Sequence, residues 1–183
     1  MNGEEYPELP MVERNNSVVM FQDDLRNMIK STIFSIATEE TKPTLMGELL
    51  EIEGNDATLV AVDGFRIPAK KGIVNNNAGS ISAIIPGKNM NELSKILSSD
   101  KDDKMNVYFT DRNVLFELDN SIIISRLIEG KFINYKQNLV DNYSTAIKVD
   151  KMNLLNSVER ISLISGIDKK QPIKLEINDG MLV

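Results

Sequence analysis

The sequence predicts an α+β fold in which helices pack on antiparallel sheets in repeated halves. The first observation is the order of the elements, which runs strand, helix and strands, and then helix and strands again. The second is that each helix has apolar residues at three- and four-residue spacing, so that each has one apolar face. A helix of this kind buries its apolar face against another layer, so each half is expected to be a helix on a sheet.

The first half begins with an apolar strand at Ser17–Phe21 and continues with the clearest helix of the chain. Asp23 and Asp24 lie at the start of this helix, where acidic side chains interact favourably with the helix dipole. Strands are predicted at 45–53 and 58–62, separated by a Gly-Asn-Asp turn. The apolar face of the helix consists of Leu25, Met28, Ile29, Thr32, Ile33 and Ile36.

The second half begins with a predicted strand at 80–85, after which Pro86 and Gly87 open a shorter helix. Three further strands are predicted at 105–110, 114–118 and 122–127, joined by turns rich in Asp and Asn. The positions expected to face inward on this helix are Met90, Leu93, Ile96 and Leu97.

A second domain is predicted to begin near Asp141 and to copy the plan of the first. Residues 146–149 and 173–177 are predicted strands, and Asp150 is the expected N-cap of the helix between them. At a constant offset, Leu25, Ile29 and Phe34 match Leu154, Val158 and Leu163. We expect a linker at 1–12, a first domain at 13–137 and the truncated start of a second at 138–183, which would make the chain a piece of a longer protein.

The composition excludes several classes of function. The chain has no cysteine and no histidine, so disulfides, thiol catalysis and histidine-dependent triads are absent, and structural zinc lacks its usual ligands. We expect no metal site and no cofactor. The net charge of −6 argues against nucleic-acid binding when taken alone, but a basic surface can coexist with an acidic exterior. The absence of cysteine fits a cytoplasmic protein, and the sequence shows neither an apolar run long enough to span a bilayer nor a signal pattern.

Four segments carry a resemblance to a known family through their joint order and spacing. They are residues 45–51 (LMGELLE), 60–67 (VAVDGFRI), 84–88 (IIPGK) and 126–135 (RLIEGKFINY). The chain resembles the bacterial sliding clamp, the beta subunit of DNA polymerase III, and these segments cover the middle domain of that family almost end to end. Residues 5–10 are similar to the linker from the family's first domain, and the remainder resembles the start of its third.

The resemblance implies a non-catalytic function. Members of the family form a head-to-tail homodimer ring of two three-domain subunits that encircles duplex DNA and grips its backbone weakly and non-specifically. The implied partners are double-stranded DNA, the alpha subunit of DNA polymerase III, the clamp loader and other proteins that carry a clamp-binding motif. Because the ring joins first and third domains, we expect no native ring from this chain alone.

Basic residues on three predicted helices, and one in a loop, are the expected DNA contacts. Lys88 and Lys95 are seven residues apart, so they share a helix face that lies opposite Met90, Leu93 and Leu97. In the clamp fold such helices line the hole, where lysine and arginine would meet phosphates. Ordinary solvated helix faces are the alternative. The expected DNA-binding residues are Arg26, Lys30, Lys42, Lys88, Lys95 and Arg160.

The resemblance also implies a groove that binds a short partner peptide with Gln and Leu or Phe anchors. Its wall would consist of Leu45, Val62, Gly64, Phe65, Arg66, Ile67, Ile133, Gln137 and Asn138. For the apolar members, ordinary core positions in a sheet are the alternative, whereas a charge at Arg66 requires a partner. Phe65, Ile133, Gln137, Asn138 and Val62 depart from the commonest family residues. The rest of the groove would come from the end of the third domain, so weak peptide binding is expected.

Two other functions remain open at this level. One is a generic α+β protein-interaction module without a DNA role. The other is a magnesium-dependent hydrolase, for which Asp63, Asp111 and Asp119 are the most suggestive carboxylates, although each occupies a predicted turn where Asp is favoured for backbone reasons. The segment 85–88 lacks the upstream glycine and the following Ser or Thr of a phosphate-binding loop.

Overall fold

A computed structural model describes residue 14 and residues 17–38, 42–139, 142–164 and 173–183. These residues fall into two compact units that divide between Asn138 and Leu139. The predicted linker at 1–12 lies outside the described residues, and the predicted boundary between 137 and 138 stays a prediction. No helix among the described residues combines the length and the apolar content that crossing a membrane requires.

The first unit contains two α-helices and nine strands in its described part. The helices are α1 (Gln22–Thr32) and α2 (Gly87–Ile96). The strands are β1 (Ser17–Phe21), β2 (Gly47–Glu53), β3 (Asp56–Val60), β4 (Ala69–Ile73), β5 (Asn75–Asn76), β6 (Ile81–Pro86), β7 (Lys104–Phe109), β8 (Asn113–Leu118) and β9 (Ser121–Arg126). Short 3₁₀ turns occur at Ile33–Ser35, Pro43–Met46 and Tyr135–Asn138. The predicted α+β class, with helices and antiparallel sheets, is confirmed.

The two halves of this unit exchange their first strands. Strand β1 pairs with β7 of the second half, with Val18 opposite Val107, and β6 pairs with β2 of the first half, with Leu49 opposite Ile84. The resulting antiparallel sheets have the orders β5-β1-β7-β8-β9 and β4-β3-β2-β6. The halves are therefore interlocked, whereas the sequence predicted that each half has a sheet of its own.

The larger core lies between the helices and the two sheets. Leu25, Met28 and Ile29 of α1 and Met90 and Leu93 of α2 are buried in it. Each such side chain contributes roughly 1.5–3 kcal/mol when it leaves water, so the two apolar helix faces predicted from spacing hold the layers together. The predicted face of α2 has one error.

That error is Ile96, which was expected to face inward and is 55% exposed. Helix α2 ends there, and Leu97 reaches the core instead because its backbone is extended rather than helical. Helix α1 likewise ends at Thr32, and residues 33–35 continue as a 3₁₀ turn rather than as α-helix to Ile36. Leu45 lies in a 3₁₀ turn and not in the predicted strand.

Strands β4 and β5 were not predicted. Strand β4 is an edge strand with the sequence AKKGI, and its residues are mostly exposed, so it lacks the apolar alternation of a half-buried strand. At Gly72 this strand comes close to α1, because a β-carbon there would lie 2.7 Å from the Met28 sulfur. The helix therefore packs closely on the edge of the sheet.

The second unit contains α3 (Lys151–Ile164) and a hairpin of β10 (Ile177–Asn178) and β11 (Met181–Leu182). The predicted N-cap is confirmed, because the Asp150 carboxylate accepts a 2.9 Å hydrogen bond from the backbone of Asn153. The predicted strand at 146–149 is wrong, and the one at 173–177 contributes only its last residue. A strand requires a hydrogen-bonded partner, and in the described part of this unit β10 and β11 pair only with each other.

Candidate functional site

A tight turn follows strand β3 in the first unit and is organised by Asp63. Its Oδ1 atom accepts hydrogen bonds from the backbone nitrogens of Phe65, at 3.0 Å, and Arg66, at 2.9 Å. Gly64 adopts a φ of +90°, which side-chain-bearing residues rarely adopt. The backbone hydrogen bond from Phe65, followed by a hydrogen bond from the Arg66 side chain, lowers the pKa of Asp63 to about 2.

The guanidinium of Arg66 is fixed by the same carboxylate and by Phe34. Nε and Nη2 of Arg66 donate to Asp63 Oδ2 at 2.9 and 2.6 Å, and Nη2 also lies 3.3 Å from the carbonyl oxygen of Phe34. The guanidinium carbon lies 5.4 Å from the centre of the Phe34 ring, within the range of a cation–π contact. The partner that the sequence required for Arg66 is therefore Asp63, with Phe34 as a second contact.

Beside this turn lies a small apolar cluster, separate from the main core. Its buried members are Leu45, Leu49, Val60, Val62, Ile84, Phe132 and Tyr135. Ala37, Ile67, Ile128 and Ile133 pack against it and are partly exposed. The cluster forms on one face of the sheet β4-β3-β2-β6 because strand side chains alternate. Leu49 points to this face, whereas its neighbour Leu50 points to the core under the helices.

The segment 127–138, which we call the strap, covers this face of the sheet. Its beginning is held by two backbone hydrogen bonds of 2.8 Å, from Leu127 to Arg112 and from Ile128 to Ile84. Its end is held by Tyr135, whose hydroxyl donates a 2.6 Å hydrogen bond to Glu51 of β2. Burial, followed by this hydrogen bond, raises the pKa of Tyr135 well above its usual range, so the hydroxyl remains a donor.

The structure brings together four of the nine residues predicted for the peptide groove. Leu45 and Val62 belong to the apolar cluster, and Ile67 and Ile133 pack against it. Leu45 and Val62 are only 6% and 2% exposed, so they form the buried floor of the predicted groove rather than its wall. Gly64, Phe65 and Arg66 occupy the adjacent turn and are exposed, and Gln137 and Asn138 are exposed at the end of the strap.

Sequence reasoning missed the residues that hold this surface in place. Phe34 is 32 positions from Arg66, and no local pattern connects the two residues. Glu51 and Tyr135 are 84 positions apart, and Glu51 was only part of a predicted strand. Asp63 was recognised only as a turn residue. The signal for its ion pair was the charged residue Arg66, which lies three positions later in the sequence.

The basic residues of α2 lie where their spacing predicts. Lys88 and Lys95 are both exposed, and Met90, Leu93 and Leu97 are buried on the opposite side. The ammonium group of Lys95 also lies 2.7 Å from Glu92, an exposed pair whose energetic contribution is small. The two helices pack against each other on the same sheet face, so their outer surfaces adjoin.

The remaining predicted DNA contacts are less uniform. Lys30 of α1 and Lys42 of the following loop are exposed, whereas Arg26 is half-buried and lies 4.0 Å from Asp23. Arg160 belongs to the second unit, where its side chain donates to the Asn156 carbonyl at 3.2 Å.

A buried carboxyl group lies under α1 and was not singled out by sequence reasoning. Glu48 of β2 is 0% exposed and points to the helix face of the sheet, with Oε1 2.5 Å from the Thr32 hydroxyl. Its Oε2 atom has no hydrogen-bond partner among the described residues. Burial raises the pKa of Glu48 to about 8, and the Thr32 hydrogen bond opposes this shift only in part.

Comparison with known proteins identifies the family to which this part of the chain is similar. Residues 20–134 match the family of the DNA polymerase III beta subunit, central domain. The chain belongs to this family. The match contains α1, α2 and the strap as far as Asn134, and so all of the predicted groove except Gln137 and Asn138.

The similarity to individual relatives covers the whole of this chain. The chain is 34% identical to the beta sliding clamp of Halalkalibacterium halodurans, a match that covers 100% of this chain and 49% of that protein. It is 30% identical to the beta sliding clamp of Staphylococcus aureus over 100% of this chain and 48% of that protein. The chain thus spans about half the length of the curated relatives it matches.

Solved structures of the family agree with the fold. A DNA polymerase III beta subunit from Eubacterium rectale superposes with a TM-score of 0.92 at 36% identity, over 98% of this chain and 49% of that one. The DNA polymerase sliding clamp from Bacillus subtilis superposes with a TM-score of 0.87 at 28% identity, over 96% and 48%. The predicted clamp fold is therefore confirmed.

The hydrolase alternative has no metal centre in the described part of the chain. No group of three or more carboxylates there could hold a metal ion. Asp63, one of the three carboxylates suggested for that alternative, forms an ion pair with Arg66.

The first unit offers two surfaces on opposite faces of one sheet. One is the basic helix face, and the other is the apolar surface next to the strap.

Proposed function

We propose that this chain acts as part of a sliding clamp, the processivity factor of a replicative DNA polymerase. In this function a ring of two subunits encircles duplex DNA and tethers the polymerase and other replication and repair proteins. The observation that carries the proposal is the joint presence, in a member of the beta subunit family, of the apolar cluster and the Asp63–Arg66 turn. The chain itself would be non-catalytic.

The apolar cluster and the turn are suited to hold a short peptide. Ile67 and Ile133 offer partly exposed apolar surface above the buried floor of Leu45 and Val62. Beside them, Arg66 has a guanidinium that is already fixed by Asp63, so it can donate hydrogen bonds to a peptide carbonyl or carboxylate without losing much conformational entropy. Gly64, Phe65, Gln137 and Asn138 would complete the wall of this groove.

The helix face is suited to a weak, non-specific DNA contact. Lys30, Lys88 and Lys95 are exposed on α1 and α2, and their long side chains can reach phosphates without reading bases. Arg26, Lys42 and Arg160 would add to this surface. Weak phosphate contacts of this kind hold a protein on the duplex and still permit sliding.

The partners follow from the same proposal. They are double-stranded DNA, the alpha subunit of DNA polymerase III, the clamp loader and other proteins with a clamp-binding motif, in a cytoplasmic homodimer ring that does not contact membranes. The relatives whose names support this proposal are each described as a beta sliding clamp.

The groove can be tested by titrating the chain with a synthetic peptide that carries Gln and Leu or Phe anchors, followed by NMR. We expect weak but saturable binding that shifts the amide signals of residues 64–67 and 133–138. Ile67→Asp should abolish it, because it introduces a charge at the apolar wall. Ile122→Asp changes an isoleucine that is 48% exposed on β9, in the other sheet, and should leave binding intact. Absence of saturable binding, or equal loss in both variants, would contradict the proposed groove.

A further inference from the structure

Two consecutive strap residues, Tyr135 and Lys136, bind the same oxygen atom. The Tyr135 hydroxyl lies 2.6 Å from Glu51 Oε2, and the Lys136 ammonium lies 3.2 Å from it and 3.7 Å from Glu53. The Lys136 ammonium also lies 5.8 Å from the centre of the Tyr135 ring. Both side chains can reach β2 because the backbone turns sharply at Tyr135–Asn138. We call these contacts among Glu51, Tyr135 and Lys136 the strap network.

The strap network lies next to the residues that would contact a peptide. Ile133 precedes Tyr135 by two positions, and its carbonyl oxygen accepts a 2.8 Å hydrogen bond from the Tyr135 backbone. Gln137 and Asn138 form the end of the same 3₁₀ turn. A displacement of Tyr135 would therefore move all three predicted groove residues relative to the buried floor.

Burial of the Tyr135 ring would not by itself determine where the strap lies on the sheet. The ring is 4% exposed within the apolar cluster, and a phenylalanine could fill the same space without a polar requirement. A buried tyrosine hydroxyl must find a hydrogen-bond partner, and here the acceptor is a single carboxylate on a central strand. The hydroxyl therefore selects one position of the turn, and Lys136 balances the charge of that carboxylate.

We propose that Glu51, Tyr135 and Lys136 are positioning residues that set the location of the groove wall formed by Ile133, Gln137 and Asn138. The network would act on peptide affinity through the strap and would not touch the peptide. This inference rests on the proposed peptide-binding function of the groove. It adds to that function three residues whose role is to hold the strap in its binding geometry.

The test compares Tyr135→Phe with a matched control in the same unit. Tyr108 is also buried and donates a 3.0 Å hydrogen bond to Glu117, but it lies in the sheet that the strap does not cover. Loss of one buried hydrogen bond should destabilise Tyr135→Phe and Tyr108→Phe to a similar degree. Only Tyr135→Phe should weaken binding of the Gln- and Leu-anchored peptide, by about three- to tenfold, and speed hydrogen exchange at the amides of 133–138.

Variants at Glu51 separate positioning from general loss of structure. Glu51→Gln keeps an oxygen that accepts the Tyr135 hydrogen bond, so it should retain most of the affinity, whereas Glu51→Ala should behave like Tyr135→Phe. Equal peptide affinities and equal strap exchange rates in Tyr135→Phe and Tyr108→Phe would overturn the positioning role. If the unaltered chain binds no peptide but Tyr135→Phe still accelerates strap exchange, the network holds the strap and the proposed groove function fails.

Discussion

The carboxyl group of Glu48 lies 2.5 Å from the hydroxyl oxygen of Thr32, beneath α1 and out of contact with solvent. The Thr32 hydroxyl has one proton, and the Met28 carbonyl oxygen lies 2.9 Å away as an acceptor for it. Thr32 can donate this proton either to Glu48 or to the Met28 carbonyl, and when it donates to the carbonyl only a protonated Glu48 keeps the hydrogen bond to Thr32. A protonated Glu48 satisfies both contacts and avoids an isolated buried charge.

This arrangement predicts that stability falls as pH rises. Below pH about 4.5 Glu48 is protonated in both the folded and the unfolded chain, and between about 4.5 and about 8 only the folded chain keeps the proton. The free energy of unfolding should therefore decrease over that range by up to roughly 1.4 kcal/mol per pH unit and level off above it. Urea unfolding at a series of pH values measures this slope.

Glu48→Gln should remove this part of the pH dependence, because the amide keeps a hydrogen bond to Thr32 and does not ionise. The variant should be more stable than the original chain at pH 8. Glu92→Gln is the matched control, since Glu92 is exposed on α2 and its change should leave the slope as it was. Parallel pH profiles for the original chain and Glu48→Gln would show that Glu48 is ionised in the fold.

The Asp63 carboxylate should be needed for peptide binding more than for folding. Asp63→Ala removes the acceptor that fixes the Arg66 guanidinium and the backbone of the turn, so we expect several-fold weaker binding with a small change in melting temperature. Asp63→Asn keeps an oxygen for the backbone and should be intermediate. NMR titration measures the affinities, and Asp119→Ala, in the exposed turn between β8 and β9, should bind normally.

The same turn should respond to pH only under strongly acidic conditions. The pKa of Asp63 is about 2 rather than 3.8, so the carboxylate stays ionised throughout the neutral range. The ordering that it provides is present above the unfolded value and is lost as the pH falls toward about 2. If the peptide affinity and the turn structure were lost together near neutral pH, the turn would not depend on an Asp63 carboxylate with this low pKa.

Gly64 and Gly54 allow the backbone of the turn to be tested separately from its surroundings. Both have positive φ, of 90° and 58°, and a β-carbon at either position would meet no atom within 4 Å. Replacement by alanine should thus cost about 1 kcal/mol of stability at each site through backbone strain alone. Gly64→Ala should also weaken peptide binding, whereas Gly54→Ala, in the β2–β3 turn, should not. Calorimetric melting and peptide titration together distinguish the two.

Charge reversal on α2 should weaken DNA binding. In Lys88→Glu/Lys95→Glu the phosphate contacts of the helix face are lost, so affinity for a labelled duplex should fall and its salt dependence should decrease by about one to two in logarithmic slope. Fluorescence anisotropy at several low salt concentrations measures both quantities. The control is Lys71→Glu/Lys131→Glu, which carries the same change of charge.

The control is informative because of where its lysines lie. Leu59 points to the helix face of the sheet, so its neighbour Thr58 points to the opposite face. Lys71 is paired with Thr58 and therefore also points away from the helices. Lys131 belongs to the strap. If both double variants lost affinity equally, net charge rather than the helix face would account for DNA binding.

The features of this protein that could be predicted from its sequence are those that depend on local chemistry. The spacing of Leu25 and Met28 placed one helix and that of Met90 and Leu93 the other, because a helix brings residues three and four apart onto one face. Asp63 and Gly64 indicated the turn, since that backbone favours those residue types. The family resemblance rested on the same short segments, and residues 20–134 confirm it.

The pairing of the strands and the contacts between distant side chains could not be predicted from the sequence. The exchange of β1 and β6 between the halves has no local signal, because an apolar strand can pair with any suitable edge. The contacts from Glu48 to Thr32, from Arg66 to Phe34 and from Tyr135 to Glu51 join residues 16 to 84 positions apart. Such contacts arise from the way the sheets and helices stack, so they become visible only when the chain is folded.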